Sequence, residues 1–550
     1  MAFPKNPTLL SRRRLLQGTA IGALASVLPI SVRPVSANFI PTDLNIVMAV
    51  VDPNVENAPE VRTYNGKTPG PTLNVFPGDS LEVNLKNSLD PQTPEEFCPP
   101  SMNQYHASNS TNFHTHGLHV NPFKATDGRD SDNIFLTLVP GGQQIPEACH
   151  HMGELREVET AYNFELPDDH PSGTFWYHAH KHGSTAQQVG NGLVGPLIVR
   201  DMPGVMPSYI ENAPEDIFVI QMRNIEKDAP APSDTGGEAH LVMVDPSGQG
   251  GGIKNPEIVM RPGEVRRWRV INAAPRADTF VSLNFTGANG GDGLEVYQIA
   301  YDGITYNKRI EIDPTNNGAP WENPAALAPG NRTDFMVRVP VDAAEGELQL
   351  VASQLPDLMA SAMMGTEAVM STPQPSNAME LKIRIEGDPM DAEWSDDDTL
   401  PGGGPLVDPI DPETIVGERE IEFFLEFKED PVRFMIDNEE FDGEVKQTMK
   451  LGTAERWHVT NRNTFTHPFH IHVNPFFVTH INGVELAEDD PLRRWQDTMA
   501  IPTAAAHKID PPGSFTMLSR FVRFTGKFVI HCHILEHEDE GMMQAVEVVS

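Results

Sequence analysis

Hydrophobic and polar residues alternate along this chain in short runs. In one of them, residues 80–87, Leu81, Val83 and Leu85 are separated by polar positions. This two-residue period is typical of a β-strand with one buried face. Glycine, proline and aspartate bound the runs, and stretches with the period of an amphipathic helix are scarce. The pattern predicts an all-β protein.

A turn followed by an alternating strand occurs three times, at 76–87, 261–272 and 450–461. A second shared element follows each copy, at 173–180, 346–353 and 526–533. A repeat of this length indicates repeated domains and not the short units of a solenoid. The three turns carry Gly78, Gly263 and Gly452, which lie 185 and 189 residues apart.

The repeat predicts the domain organisation. A chain of 550 residues is too long for one core, so two to four domains are expected. We expect β-domains at 39–201, 202–385 and 414–550. Residues 386–413 are rich in acidic residues, Pro and Gly and contain no Lys or Arg, so we expect a linker that cannot build a core.

Residues 1–37 are interpreted as an export signal. Residues 11–17, Ser-Arg-Arg-Arg-Leu-Leu-Gln, resemble a twin-arginine signal, and an apolar stretch follows at 18–32. Val35, Ser36 and Ala37 offer a small-residue cleavage site. The expected product is periplasmic or secreted, exported by the twin-arginine route, with no membrane attachment after cleavage. The alternative is an uncleaved membrane anchor.

The formal net charge of -37 bears on partners. A strongly acidic surface repels nucleic acid and anionic membranes, so neither is expected as a partner. Such a surface can attract cationic substrates, but its simplest role is to keep the protein soluble.

Four clusters hold ten of the chain's 20 histidines. A single His-x-His pair is more often solvated than metal-bound, but four clusters together indicate metal sites. Imidazole and thiolate suit copper, zinc and iron, and His, His, Cys and Met form the ligand set of a blue-copper site. Zinc rarely needs ten imidazoles, and the chain has no Cys-x-x-Cys pair for a structural zinc site. The clusters are His114 and His116; His178 and His180; His467, His470 and His472; and His531, Cys532 and His533, followed by His537 and Met542.

The spacing within the clusters predicts two sites placed back to back. Alternate residues of a strand point to the same face, so His531 and His533 face one way and Cys532 the other. His470 and His472 likewise share a face, and His467 can face the opposite side. The middle unit has Val351 and Ser353 where the others have histidines, so we expect it to act as a spacer without ligands.

Two of the three cysteines lie outside the clusters. An oxidising compartment permits Cys98 and Cys149 to form a disulfide, and this pairing is expected. The alternative is two unrelated buried thiols.

The clusters and the three-unit layout resemble the three-domain multicopper oxidases, the family of laccases and bacterial copper-efflux oxidases. The resemblance covers the chain after the export signal, and residues 531–543, His-Cys-His-Ile-Leu-Glu-His-Glu-Asp-Glu-Gly-Met-Met, are its most specific part. It implies three cupredoxin-like Greek-key β-sandwich domains and four copper ions per chain. The implied ligands are His467, Cys532, His537 and axial Met542 for type 1 copper, His114 and His470 for type 2, and His116, His178, His180, His472, His531 and His533 for the two type 3 ions.

The resemblance also implies the reaction. A small reducing substrate gives single electrons to type 1 copper near His537, and O2 is reduced to two waters at the trinuclear cluster. Cys532 joins the two sites through the backbone to its neighbours. Glu538 resembles the acid that delivers protons, with Asp130 and Asp132 as further candidates; the alternative for all three is an ordinary surface acid. A monomer is expected.

The substrate is less clear from the sequence. Soft thioethers at Met359, Met363, Met364, Met370 and Met379 suit Cu(I), but the alternative is an adaptable apolar loop over the substrate pocket. Asn463 also differs from the acid that the copper-efflux subfamily uses. We therefore favour a laccase-like oxidase of phenols or aromatic amines over a cuprous or other metal oxidase. Three other functions are alternatives. A copper nitrite reductase would need no type 3 histidines, and a metal-free cupredoxin scaffold protein would lack the copper ligands. A copper-storage protein would be distinguished from an oxidase by the absence of oxygen consumption.

Overall fold

The computed structural model describes residues 39–51, 60–149, 153–223, 238–277, 279–287, 293–313, 316, 318–354, 379–395, 397–427, 431–503 and 511–550. These residues are mostly β-strands, arranged along the chain as three successive β-sandwiches. The described α-helices are short: α1 (Pro94–Phe97), α2 (Thr185–Asn191), α3 (Ser208–Glu211) and α4 (Leu535–Asp539). Single 3-10 turns lie at Glu147–Cys149, Pro405–Val407 and Pro412–Thr414.

The first sandwich has two four-stranded sheets and a two-stranded ribbon. Its strands are β1 (Phe39–Val50), β2 (Glu60–Tyr64), β3 (Leu73–Val75), β4 (Ser80–Asn87), β5 (His114–His116), β6 (Leu136–Val139), β7 (Glu154–Glu157), β8 (Glu159–Glu165), β9 (Gly173–His178) and β10 (Val194–Val199). The sheet orders are β2-β1-β4-β8 and β3-β10-β9-β5, and β6 pairs with β7. Apolar side chains from both sheets form one core between them.

The second sandwich has a seven-stranded and a four-stranded sheet. Its strands are β11 (Glu215–Arg223), β12 (Glu238–Val244), β13 (Gly252–Lys254), β14 (Glu257–Met260), β15 (Val265–Asn272), β16 (Val281–Gly287), β17 (Glu295–Tyr301), β18 (Ile304–Glu311), β19 (Arg332–Arg338), β20 (Gly346–Gln354) and β21 (Glu380–Ile385). The orders are β13-β12-β11-β15-β19-β17-β18 and β14-β21-β20-β16.

The third sandwich has a seven-stranded and a five-stranded sheet. Its strands are β22 (Ile415–Glu426), β23 (Arg433–Ile436), β24 (Val445–Lys450), β25 (Thr453–Asn461), β26 (His467–Ile471), β27 (Phe476–Ile481), β28 (Val484–Glu485), β29 (Trp495–Gln496), β30 (Thr498–Ile501), β31 (Gly513–Phe521), β32 (Gly526–Cys532) and β33 (Met543–Val549). The larger sheet runs β23-β22-β25-β31-β27-β28, with β29 beside β27, and the smaller runs β24-β33-β32-β26-β30. The predicted all-β, three-sandwich fold is confirmed.

The sequence repeat corresponds to one structural unit. Strands β4, β15 and β25 each pair in parallel with the first strand of their own sandwich. The preceding glycines Gly78, Gly263 and Gly452 have φ of 85°, 80° and 85°, a left-handed conformation that glycine adopts without steric cost. The buried asparagine that ends each strand donates its side-chain amide to a loop carbonyl, as Asn87 does to Asn109.

The segment predicted as a plain linker has a docked conformation. Leu400 and Leu406 are buried, and Leu400 packs with side chains of the second sandwich. Arg309 on β18 donates to the Asp398 carboxylate at 2.6 Å, and its guanidinium lies 4.7 Å from the Trp394 ring. The segment builds no core of its own, but it covers the core of its neighbour. The exact domain boundaries stay predictions.

Three other expectations concern single segments. The expectation that Met379 belongs to a methionine-rich loop is wrong. Its side chain is fully buried in the core of the second sandwich, just before β21. Residues 359–370 and the export signal lie outside the described residues.

Cys98 and Cys149 form a disulfide, with 6.0 Å between their Cα atoms. No described helix has the length and apolar character that a membrane span requires.

Candidate metal centre

The first metal-ligating cluster lies inside the third sandwich. Cys532 Sγ is 3.6 Å from Nδ1 of His467 and 3.6 Å from Nδ1 of His537, and the two nitrogens are 3.3 Å apart. All three side chains are buried, and so is Met542. Two backbone hydrogen bonds hold Met542 beside them. The Met542 N–H donates to the His537 carbonyl, and the Met542 carbonyl accepts from the Cys532 N–H. His467, Cys532 and His537 of the predicted type 1 set therefore meet at one place, and backbone hydrogen bonds hold Met542 next to them.

Strand pairing accounts for the two-sided arrangement of the ligands. Strands β26 and β32 are antiparallel neighbours, with His470 opposite His531. Cys532 turns to the first cluster, while His531 and His533 approach histidines of the first sandwich. The structure thus separates Cys532 from its two neighbours in the way that strand alternation predicts.

The second cluster consists of eight buried histidines contributed by the first and third sandwiches. His531 Nε2 lies 3.3 Å from Nε2 of both His180 and His472. His533 Nε2 lies 3.3 Å from His116 Nδ1, and one group of mutually close nitrogens joins these two residues to His178. His114 and His470 complete the cluster, in a further group with His116.

Unpartnered ring nitrogens show that the second cluster fits metal ions. His114 donates from Nδ1 to Asp132 at 3.0 Å, and His470 donates from Nδ1 to the Asp497 carbonyl at 2.9 Å. Nε2 of each ring is then buried without a hydrogen-bond partner among the described residues, and the same holds for His178 Nε2. A buried nitrogen lone pair is costly unless it is bound, and copper takes imidazole ligands of this kind. The chemistry of both donor sets fits copper.

Burial also sets the charge of the ligands. It lowers the pKa of His531 and of His537 to about 3, so both rings are neutral at pH 7 and can offer a lone pair. Burial raises the pKa of the Cys532 thiol. Copper binding must therefore displace the thiol proton, because the thiolate is the form that ligates metal.

The three candidate acids are all buried, so the alternative that they are surface acids is wrong. Asp132 accepts from His114 Nδ1 and from the Thr115 N–H at 2.9 Å. Glu538 accepts from the Thr185 hydroxyl at 3.1 Å, and its carboxylate lies 3.6 Å from His531 Nδ1. Burial and neighbouring Asp539 raise the pKa of Glu538. Two of the three acids therefore contact the histidine cluster directly.

Asp130 has a different position. Its carboxylate pairs with Lys124 at 2.7 Å and Arg156 at 3.5 Å, and it contacts none of the eight histidines through a described hydrogen bond. Asp130, the third candidate for proton delivery, is therefore held by two cations in a charge network separate from the histidines.

Sequence reasoning missed the acid that contacts the cluster from the third sandwich. Asp497 lies 3.2 Å from His116 Nε2, and its carboxylate receives both terminal nitrogens of Arg332, each at 2.7 Å. Arg332 and neighbouring Asp302 belong to the second sandwich and are buried. Burial and Asp497 raise the pKa of Asp302 to about 6. The second sandwich, expected to be a spacer, thus supplies side chains that hold the surroundings of the cluster.

Comparisons with known proteins agree with this geometry. Two family models, both described as multicopper oxidase, match residues 419–550 and residues 46–94 with 156–204. A multicopper oxidase of Staphylococcus haemolyticus is 25% identical over 498 residues, covering 88% of this chain and 83% of that protein. A laccase of Bacillus subtilis is 26% identical over 528 residues, covering 88% and 89%.

A solved structure shares the whole fold. A multicopper oxidase of Campylobacter jejuni, described as a metallo-oxidase, superposes with a TM-score of 0.62 at 22% identity, covering 99% of this chain and 98% of that one. Family models, relatives, fold and buried ligand clusters point the same way. The chain is similar to the multicopper oxidases along most of its length, and these matches support an oxidoreductase that uses oxygen as the electron acceptor.

Proposed function

We propose that the protein is a laccase-like oxidase of phenols or aromatic amines that holds four copper ions. The type 1 ion is held by the His467, Cys532, His537 and Met542 cluster, and the other three by the eight histidines. Bound copper supplies one-electron oxidation of the substrate and the reduction of O2 to two waters. One observation carries the proposal: Cys532 lies in the first cluster, while both its sequence neighbours lie in the second.

The protein's own residues connect and serve the two clusters. The backbone between Cys532 and its neighbours is the short covalent connection between the two ligand sets. Glu538 holds a proton at its carboxyl group beside His531 and His180, where oxygen reduction consumes protons. Asp132 orients His114 by accepting from Nδ1, which directs Nε2 into the cluster.

Aromatic surface near the first cluster favours an aromatic substrate. The half-buried Phe434 ring lies 5.1 Å from the His537 ring. Phe427 is 45% exposed and contacts Phe465, which lies 5.1 Å from His467. Aromatic pairs at such distances are favourable, so a phenol ring can rest on this surface close to the first cluster.

Asn463 argues against the cuprous-oxidase alternative. Its amide oxygen accepts from His467 Nε2 at 3.1 Å, and its amide nitrogen donates to the Leu425 carbonyl at 3.3 Å. A neutral amide engaged at both ends offers no carboxylate to a Cu(I) substrate, which leaves the aromatic donor as the better candidate.

Oxygen uptake by the copper-loaded protein tests the proposal. We expect uptake with 2,6-dimethoxyphenol and with an aromatic amine, and no requirement for added Cu(II). Uptake with Cu(I) but not with the phenol would identify a metal oxidase instead. A copper-loaded protein that consumes no oxygen with any of these donors would refute oxidase function.

Asn463→Asp is expected to lower the potential of the type 1 site. A carboxylate accepting from His467 stabilises Cu(II) more than Cu(I), and a charge-assisted hydrogen bond is stronger than a neutral one. A fall of about 60 mV corresponds to a tenfold change in the one-electron equilibrium. Redox titration of the blue absorption band measures this shift. Asn212→Asp adds the same charge at an exposed position and should leave the potential unchanged; a rise in the Asn463 variant would contradict the assignment.

Met542→Leu is expected to keep the blue colour and raise the potential. The axial ligand of such a site is weak, and losing its thioether disfavours Cu(II) more than Cu(I). Leucine has a similar volume, so the buried site should repack at a cost below about 1.5 kcal/mol. The same titration, with rates on phenols that are harder to oxidise, checks the result. Loss of the type 1 copper, or a lower potential, would show that Met542 is not the axial ligand.

A further inference from the structure

A row of polar side chains crosses the outer face of the larger sheet in the third sandwich. Strand pairing places Glu420 beside His458, His458 beside Thr516, and Thr516 beside His480. The neighbours Trp457 and Val459 are buried in the core, so His458 faces away from it. Glu420, His458, His480 and Thr516 line one groove of about 550 Å³.

Each imidazole of this groove is held by the hydroxyl group of a threonine. His458 Nδ1 lies 3.0 Å from the Thr516 hydroxyl, on the strand between the two histidines. His480 Nδ1 lies 2.9 Å from the Thr479 hydroxyl, which donates to the Thr516 carbonyl at 3.2 Å. Thr516 therefore orients the His458 ring, and Thr479 orients the His480 ring.

The hydrogen bonds define the tautomer of His480. Because the Thr479 hydroxyl uses its hydrogen on the Thr516 carbonyl, it can only accept from His480 Nδ1. The proton of the neutral ring is then on Nδ1 and the lone pair on Nε2. An imidazole fixed by a hydrogen bond from its other nitrogen is the usual form of a histidine metal ligand.

The charge of the groove favours a cation. The Glu420 carboxylate is exposed and lies next to His458 on the neighbouring strand. Arg456, which also lines the groove, is neutralised by an ion pair with Glu418 at 2.5 Å. With Arg456 paired, Glu420 leaves a negative charge beside His458, and His480 lies two strands further along the sheet.

We propose that His458 and His480 bind a divalent transition-metal ion at this groove, separate from the two buried clusters, and that Glu420 supplies negative charge next to it. Imidazole ligands suit Cu(II) and Zn(II), and Cu(II) binds such donors more tightly. The site contains no thiolate, so bound Cu(II) is not blue. It lies on the β22-β25-β31-β27 sheet, whereas the buried ligands of the third sandwich come from β26, β32 and the segment after β32.

Zn(II) titration of the copper-loaded, full-length protein tests the site, because this probe need not displace the copper already bound. After treatment with chelating resin, calorimetry should find one Zn(II) per chain with a Kd below about 10 μM. His458→Gln and His480→Gln should each weaken binding at least about tenfold, with a smaller loss in Glu420→Gln. One added equivalent of Cu(II) should give a new non-blue signal in electron paramagnetic resonance, and both histidine variants should lack it.

Glu422→Gln is the matched control, since Glu422 lies on the same strand but pairs with Arg462, which does not line the groove. We expect it to keep the Zn(II) affinity within about twofold, well under the loss expected for a ligand. Phenol oxidation should be unchanged in all these variants. Absence of a micromolar Zn(II) site, or a site that persists in both histidine variants, would overturn the proposal.

Discussion

Cys532→Ser is expected to abolish both the blue colour and the oxidation of phenols. Cys532 Sγ lies between His467 and His537, and the serine hydroxyl cannot replace a thiolate ligand of copper. Visible absorption should lose the intense red-region band, and oxygen uptake should fall by at least about 10³-fold. Metal analysis should find about three coppers per chain in the variant and the proposed four in the parent protein, because the eight histidines are unchanged.

The double variant Cys98→Ser, Cys149→Ser is the control for loss of sulfur. It removes the disulfide, so it should unfold more readily, by about 2–5 kcal/mol. Its copper sites are unaltered, and the folded protein should stay blue and active. A blue Cys532→Ser protein, or one that retains all its copper and turnover, would show that the first cluster is not the entry point for electrons.

The parts of the site that sequence could predict are those determined within one strand. His531 and Cys532 point to opposite faces because the backbone of β32 is extended, and the aromatic and β-branched run at 528–530 before them favours a strand. Gly78, Gly263 and Gly452 likewise mark turns through a local property, their positive φ. Such features need no knowledge of distant residues.

The parts that could not be predicted depend on contacts between distant segments. Asp497 lies among residues that bear no histidine, and only the fold brings it to His116 and Arg332. Asp130 and Asp132 are two residues apart, yet the first pairs with cations and the second with His114. Which of two nearby acids reaches the cluster depends on the strands that surround them.

The docked segment before the third sandwich shows the same limit. Its composition correctly excludes a core of its own, but it does not reveal the surface that receives it. Leu400 is buried because it packs against apolar side chains of the second sandwich, and the Trp394 ring contacts the Arg309 guanidinium there. Whether a side chain is buried depends on both surfaces that come into contact, so the sequence of one segment alone cannot predict it.

One buried cation of the second sandwich, Arg332, contacts the acid that lies beside the histidine cluster. Arg332 pairs with Asp497 at 2.7 Å and lies 3.4 Å from Asp302, so a single guanidinium compensates two buried carboxylates. Asp302 in turn accepts from the backbone N–H groups of Asp497 and Thr498. The carboxylate beside His116 is therefore positioned by side chains of the second sandwich, whose described residues include none of the eight clustered histidines.

Arg332→Met should consequently destabilise the fold and loosen the copper cluster. Removing one partner of a buried ion pair leaves an uncompensated charge and costs about 3–5 kcal/mol. Denaturant unfolding measures this loss, and metal analysis should show lower copper occupancy at the eight histidines while the blue band persists. Arg332→Lys keeps the charge but loses the paired hydrogen bonds, so an intermediate loss is expected.

Arg338→Met is the matched control on the same strand. Arg338 is partly exposed and pairs with Glu295 at 3.1 Å, so its loss should cost only about 0–1 kcal/mol. Adding Asp302→Asn to Arg332→Met removes one of the two carboxylates and should recover part of the stability. Equal effects of the Arg332 and Arg338 variants, or full copper occupancy in Arg332→Met, would show that the second sandwich is the spacer that the sequence predicts.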